Sequence, residues 1–169
     1  MWGGGHLRSA HRADVEAGLP KLNEEMQKAG INTPRRVAAF LTTLAYESFL
    51  EYNIKQIGGT STYTGRGYIQ LTGSYNYEAA GKYLQAPLVS TPDLARSLEL
   101  SAKIAIWYWT VARPKCNEYA DTLQMGQINR MIGYPRSADG SNDNARCAAF
   151  AAALKYLTGS VPAGITCTR

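Results

Sequence analysis

Apolar positions along the chain recur every three to four residues rather than alternately, and the gaps between them carry helix start and stop signals. Leu22 and Met26 stand one turn apart, with Leu19-Pro20 ahead and Gly30 behind, which predicts a first helix over about residues 19–30. Thr33-Pro34 reads as an N-cap and a first-turn proline opening a longer helix to about Tyr52. The periodicity then lapses. Residues 53–67 are dominated by Gly, Thr, Ser and Tyr, the composition of a loop or short hairpin; residues 68–72 are short and extended, and Ser74 caps a helix containing residues 75–84. Helical sequence resumes behind Thr91 over 92–112 before Pro114, again over about 119–132, and finally from Asn142 as N-cap to Leu157 with Gly159 after it; 133–141 is a loop. This order predicts a mainly α fold with at most a small β-hairpin between the second and third helices.

Within the second helix, Val37, Phe40, Leu41, Leu44 and Ser48 fall on one stripe. At about 100° per residue, Glu47 returns to within about 20° of Phe40 after two turns, and Glu51 lies at a similar offset on the other side. Both acids therefore point where apolar residues belong. A carboxylate taken out of water costs several kcal/mol unless it is paired or protonated, and a like charge one turn away adds to that cost. One protonated and one charged carboxyl are what glycoside hydrolysis uses, the first to protonate the leaving oxygen and the second to activate water or steady the cation. Spacing alone also fits a helix that leaves the core near Glu47, with its acids at the exposed end or paired with Arg66.

Composition narrows the picture. At 169 residues and 45% hydrophobic, the chain can bury one core but not two. Its two most apolar runs, 37–50 and 104–111, fall short of the roughly 20 residues a spanning helix needs, so no membrane insertion is expected. Net charge is +5 but diffuse, with Arg35-Arg36 the one adjacent basic pair, which suits either an anionic wall polymer or a solvated surface. Nucleic-acid binding is disfavoured, because the basic residues do not cluster around aromatics. Cys116, Cys147 and Cys167 are odd in number, and His6 and His11 are the only histidines; no metal site or disulfide framework is expected, a single bridge is left open, and synthesis in a reducing cytoplasm is anticipated. The opening Met1-Trp2-Gly3-Gly4-Gly5 lacks the pattern of a secretory leader, so none is expected. Residues 1–18 accordingly read as a linker segment, 19–159 as the catalytic domain and 160–169 as a C-terminal tail.

Three segments carry a family resemblance. Gly30-Ile31-Asn32-Thr33-Pro34, then Ala38-Ala39-Phe40-Leu41 and Tyr46-Glu47-Ser48, are followed by Tyr63-Thr64-Gly65-Arg66-Gly67-Tyr68-Ile69-Gln70-Leu71-Thr72-Gly73 with Asn76-Tyr77, and more loosely by Trp107-Tyr108-Trp109, Ile128-Asn129 and Arg146. Together they resemble the glycoside hydrolase family 19 catalytic domain of chitinases and phage endolysins. The resemblance implies a lysozyme-like, two-lobed α-rich fold with a cleft, an inverting mechanism and no cofactor. It makes Glu47 the general acid, and places Tyr63, Gln70, Thr72, Tyr75, Asn76 and Asn129 where the family binds sugar or orders the cleft. Amides and hydroxyls suit acetamido and hydroxyl groups, since they both donate and accept. Thr64, Arg66 and Arg146 would support the site, the two arginines as ion-pair partners of the acids. Trp107 and Trp109 fit the core better than a sugar platform.

Two departures stand out. Tyr46 replaces the histidine that usually precedes the acid, and residues 53–67 lack the glutamate that many members use as general base. Either Glu51 takes that role, although one helical turn separates Cβ atoms by only about 5–6 Å where inversion wants carboxyls about 6.5–9.5 Å apart, or hydroxyls of Thr60, Ser61, Thr62 or Thr64 position the water. The leading expectation is an endolysin-type enzyme that cleaves β-1,4 bonds in peptidoglycan glycan strands. As a monomer open to attachment to further catalytic or wall-binding modules, it would be made in the host cytoplasm and act on the wall after release. The alternatives are a chitinase acting on β-1,4-linked N-acetylglucosamine and, from another class, an inactive wall-carbohydrate-binding module.

Overall fold

The computed structural model describes residues 9–135 and 137–169, so the glycine-rich opening and His6 lie outside the described residues. Seven α-helices account for most of what is described: α1 (Ser9–Lys28), α2 (Pro34–Ser48), α3 (Ser74–Leu84), α4 (Leu98–Trp107), α5 (Cys116–Asp121), α6 (Met125–Ile132) and α7 (Ser141–Thr158). Helix α2 packs on α5 and α7, and α6 packs on the same two; α1 and α3 pack on α4. A single apolar core joins the two groups, with the Phe40 ring edge-on to Trp109 at 5.2 Å between centroids. Trp107 and Trp109 are both buried in it, and the Trp109 indole donates to Asn117 Oδ1 at 2.8 Å. The fold is mainly α, and among the described residues the β element reduces to isolated antiparallel bridges, Lys55 with Arg66 and Arg66 with Leu71.

Several boundaries differ from the periodic reading. Helix α1 starts at Ser9 and runs through Pro20, so the linker expected over 1–18 does not hold for residues 9–18. An interior proline costs about 3 kcal/mol through its missing donor and its clash with the preceding turn. Here packing offsets it, because Gly18 lies directly under the Tyr68 hydroxyl and the Tyr52 ring, and His11 reaches Glu51. Helix α2 begins as expected, with Thr33 Oγ1 accepting from Arg36 N at 3.4 Å, but it stops at Ser48 rather than Tyr52. Phe49 and Leu50 are both left-handed, at φ 56° and 62°, and turn the chain away.

Downstream, residues 68–70 are not extended. They belong to a tight turn closed by reciprocal backbone bonds between Arg66 and Leu71 at 3.0 and 3.3 Å. The single helix expected over 92–112 divides into a 3-10 turn (Pro92–Arg96), α4 capped by Ser97, and a π-helical turn (Tyr108–Ala112). Likewise 119–132 is broken by left-handed Leu123, and α7 is entered from Gly140 rather than Asn142.

The stretch 160–169 is more than a tail. Its Cys167 is bonded to Cys147 on α7, Thr166 exchanges backbone bonds with Leu123 and Gly126 at 3.0 Å each, and Ile165 packs against the core. Cys116 is the free cysteine, buried on α5, and burial pushes its thiol up to about 12. With a thiol reagent at mild alkaline pH, the native protein is expected to show no reactive sulfur. In guanidinium chloride one should appear, and three after prior reduction. Rapid modification of a thiol in the native state would contradict this arrangement.

Candidate active site

Glu47 sits in the last turn of α2, and its Oε1 accepts from Arg146 Nη2 of α7 at 2.8 Å. Both side chains are largely withdrawn from water, 15% exposed for Glu47 and 7% for Arg146. The guanidinium carbon of Arg146 lies 3.6 Å from the Tyr134 ring centroid and 5.2 Å from that of Tyr46. Aromatic faces attract a cation most strongly where water is excluded, so the two rings hold Arg146 in place as well as shield it. Tyr108 is close enough to feel the acid: burial raises its phenol, Arg113 pulls against that, and the Glu47 charge adds a smaller push. Arg146 Nη1 and both amide ends of Asn129 are buried without a protein partner among the described residues.

Glu51 lies elsewhere. The turn at Phe49 and Leu50 removes it from the helix, so the one-turn geometry with Glu47 does not exist. It is 4% exposed and bonded to His11 Nδ1 of α1. Arg66 is also not a partner of either acid. Its Nε donates to Asp93 Oδ1 at 2.7 Å, and its Nη1 donates at 3.0 Å to the Thr62 and Thr64 carbonyls and to the Tyr77 hydroxyl. That hydroxyl in turn donates to the Thr64 carbonyl at 2.9 Å. The Arg66 hydrogen bond holds the Asp93 carboxyl below its usual range.

Around this hub the remaining candidates bond mostly to one another. Tyr63 donates to the Val89 carbonyl at 3.2 Å, and its ring tilts against Tyr77. Thr64 donates to Gln56 Oε1 at 3.0 Å, and Gly65 N donates to the same oxygen at 3.2 Å. Gln70, left-handed at φ 52°, donates through Nε2 to the Gly67 carbonyl at 3.0 Å. Thr72 donates to the Gln70 carbonyl at 2.7 Å, and Asn76 to the Thr72 carbonyl at 2.9 Å. A Cβ at Gly65 would stand 2.8 Å from Gln70 Oε1 and 3.3 Å from both Gln56 Oε1 and Thr72 Oγ1, so three polar ends converge there. Tyr75 presents its ring to solvent at 79% exposure. Two cavities, of about 330 and 350 Å³, lie away from all of these, one between α1 and α4 beside Trp107 and the other beside Arg35 and Asp121.

Residues 35–161, well over half of the chain, match the family described as class I chitinases, glycoside hydrolase family 19. The chain belongs to that family. An endochitinase of Avena sativa is 40% identical over 88 residues, covering 48% of this chain and 44% of that protein. A glycosyl hydrolase family 19 domain-containing protein of Haemophilus influenzae is 41% identical over 70 residues, 41% of this chain and 32% of its own. The chain thus spans less than half the length of these relatives. Chitinase C from Streptomyces griseus HUT6037 shares the fold, with a TM-score of 0.73 over 99% of this chain and 100% of that chain at 21% identity.

Sequence reasoning missed several groups that bond to the candidate residues or to their neighbours. Gln56, Tyr134, Asp143 and Arg169 carried no periodic or motif signal, although Tyr134 follows a glycine that ends α6 and Asp143 opens α7 beside Arg146. Replacing Arg66 with Ala is expected to destabilise the protein by roughly 3 kcal/mol, because its acceptors lose a buried cation. Because the Asp93 carboxyl is depressed in the folded state, its contribution exists above about pH 4 and fades as pH falls through the depressed value. Denaturant melts of parent and Asp93→Asn should therefore differ at neutral pH and converge in acid. A gap that widens on acidification would contradict the assignment.

Proposed function

We propose that this family 19 domain hydrolyses β-1,4 bonds in polymers of N-acetylated amino sugars, chitin-type chains foremost, with Glu47 as the general acid. The observation that carries the reading is the withdrawn Glu47 carboxyl whose Oε1 is taken by Arg146. In this reading the other oxygen, Oε2, gives its proton to the leaving glycosidic oxygen, while water attacks the anomeric carbon from the other face. Support for chitin comes from the relatives named as endochitinases. Peptidoglycan glycan strands are the second reading, supported by the net charge of +5.

In this reading Glu51 is not the base, because its carboxylate is engaged with His11. The water is oriented instead by the amide and hydroxyl groups gathered at Gly65, with Gln56, Gln70, Thr64 and Thr72 as the candidates, and the proton it sheds on bonding to the anomeric carbon passes to bulk solvent, since none of these groups is a base at neutral pH. Glu47→Gln is expected to lower the release of reducing ends on the order of a thousandfold, assayed on chitin oligosaccharides and on suspended bacterial walls. Faster turnover of walls than of chitin would favour the second reading. Equal activity of parent and variant would remove Glu47 from the mechanism, and polymer binding by both with no cleavage by either would mark a binding module. Glu51→Gln should keep kcat within about threefold while lowering the melting temperature; loss of turnover with the fold intact would make Glu51 the base after all.

A further inference from the structure

We propose that residues 165–169 form a brace for the acid, in which Arg169 is a positioning residue acting on Glu47 through Tyr134 and Arg146. The inference deepens the reading above and rests on Glu47 being the acid. Arg169 stands in the same stack as Arg146: its guanidinium carbon is 4.3 Å from the Tyr134 ring centroid, where that of Arg146 is 3.6 Å. Its Nη1 donates to the Tyr134 carbonyl at 3.0 Å, and Nε and Nη2 grip the Asp143 carboxylate at 2.9 to 3.1 Å. The Tyr134 hydroxyl donates to that same carboxylate. Tyr134 is thus fixed at its carbonyl, its hydroxyl and its ring, and Arg146 lies against that ring with Glu47 on its far hydrogen bond.

The brace is fastened on two sides. Cys167 is bonded to Cys147, the residue next to Arg146 on α7. Thr166 is pinned between Leu123 and Gly126, and a side chain at 126 would collide with the Thr168 carbonyl, so the segment passes directly over the start of α6. Burial, and then the Asp143 hydrogen bond, raise the Tyr134 phenol to about 12.

The test compares parent, Arg169→Ala, Arg169→Lys, the Cys147→Ser/Cys167→Ser pair and their combination, all well below their melting temperatures. On a chitin oligosaccharide, Arg169→Ala should lower kcat about tenfold with KM within about twofold, and Arg169→Lys should recover part of it, since lysine keeps the charge but not the flat fork. The combined variant should be no worse than the more affected of its components, because all act through one path. In parallel, the side-chain Nε–H signal of Arg146, assigned through Arg146→Lys in 15N-labelled protein, should move in Arg169→Ala. Unchanged kcat with an unmoved Arg146 signal would overturn the proposal even if the melting temperature fell, as would fully additive losses. A parent inactive on every polymer would sink the functional reading alone, because the resonance arm reads the brace without turnover.

Discussion

The contact between Arg146 and Glu47 is the constraint around which this molecule is arranged. Withdrawing a guanidinium and a carboxylate from water costs several kcal/mol for each ion, and their mutual attraction repays it only if geometry is held closely. Helix packing supplies that geometry. Helices α2 and α7 lie against one another, and the acid and the arginine meet across that seam. Tyr46 and Tyr134 then give the cation two faces that water would otherwise occupy. Phe49 and Leu50 end α2 immediately after the acid by adopting a backbone that costs a branched or bulky residue roughly 1 kcal/mol or more each, strain that the surrounding packing must hold.

What could be read from the residues follows the range of the forces involved. Local signals were dependable where one residue decides a local geometry: Thr33 ahead of Pro34 opens α2, Gly159 closes α7, and Leu22 and Met26 mark the buried face of α1. They failed where packing overruled propensity, as at Pro20 inside α1, or where leucine and phenylalanine took a conformation that glycine usually announces. The helical wheel turned both acids away from water, and both are withdrawn, Glu51 the more so; what it got wrong is their one-turn relation, because the helix stops at Ser48 and Glu51 meets His11 instead. Arg66 was assigned to the wrong acid for a related reason: its partner, Asp93, lies beyond a whole helix in sequence, and nothing local says which carboxylate an arginine will meet. Arg169 was invisible for the same reason, since its value comes from a ring and a carboxylate brought to it by folding. The odd cysteine count likewise concealed one bond and one buried thiol, which only proximity could sort.

The family assignment and the geometry bear on different questions. The match over residues 35–161 fixes what kind of domain this is, whereas the loop over 53–67 carries neither aspartate nor glutamate. Its polar ends instead converge on Gly65, and their lone pairs and hydroxyls are largely committed to one another. Polar networks of this kind are worth most when every member is satisfied, and they lose value together when one is removed.

Arg66 gives that loop a particular mechanical character. A single cation draws in the Thr62 and Thr64 carbonyls, the Tyr77 hydroxyl on α3 and Asp93 on the next turn, so stretches far apart in the chain share one fastening point. With so few regular backbone ladders in this region, its stiffness is borrowed from that one side chain. A sugar chain laid across it would therefore meet a plate that shifts as a unit, and whatever tilts Arg66 tilts every hydroxyl and amide on that plate at once.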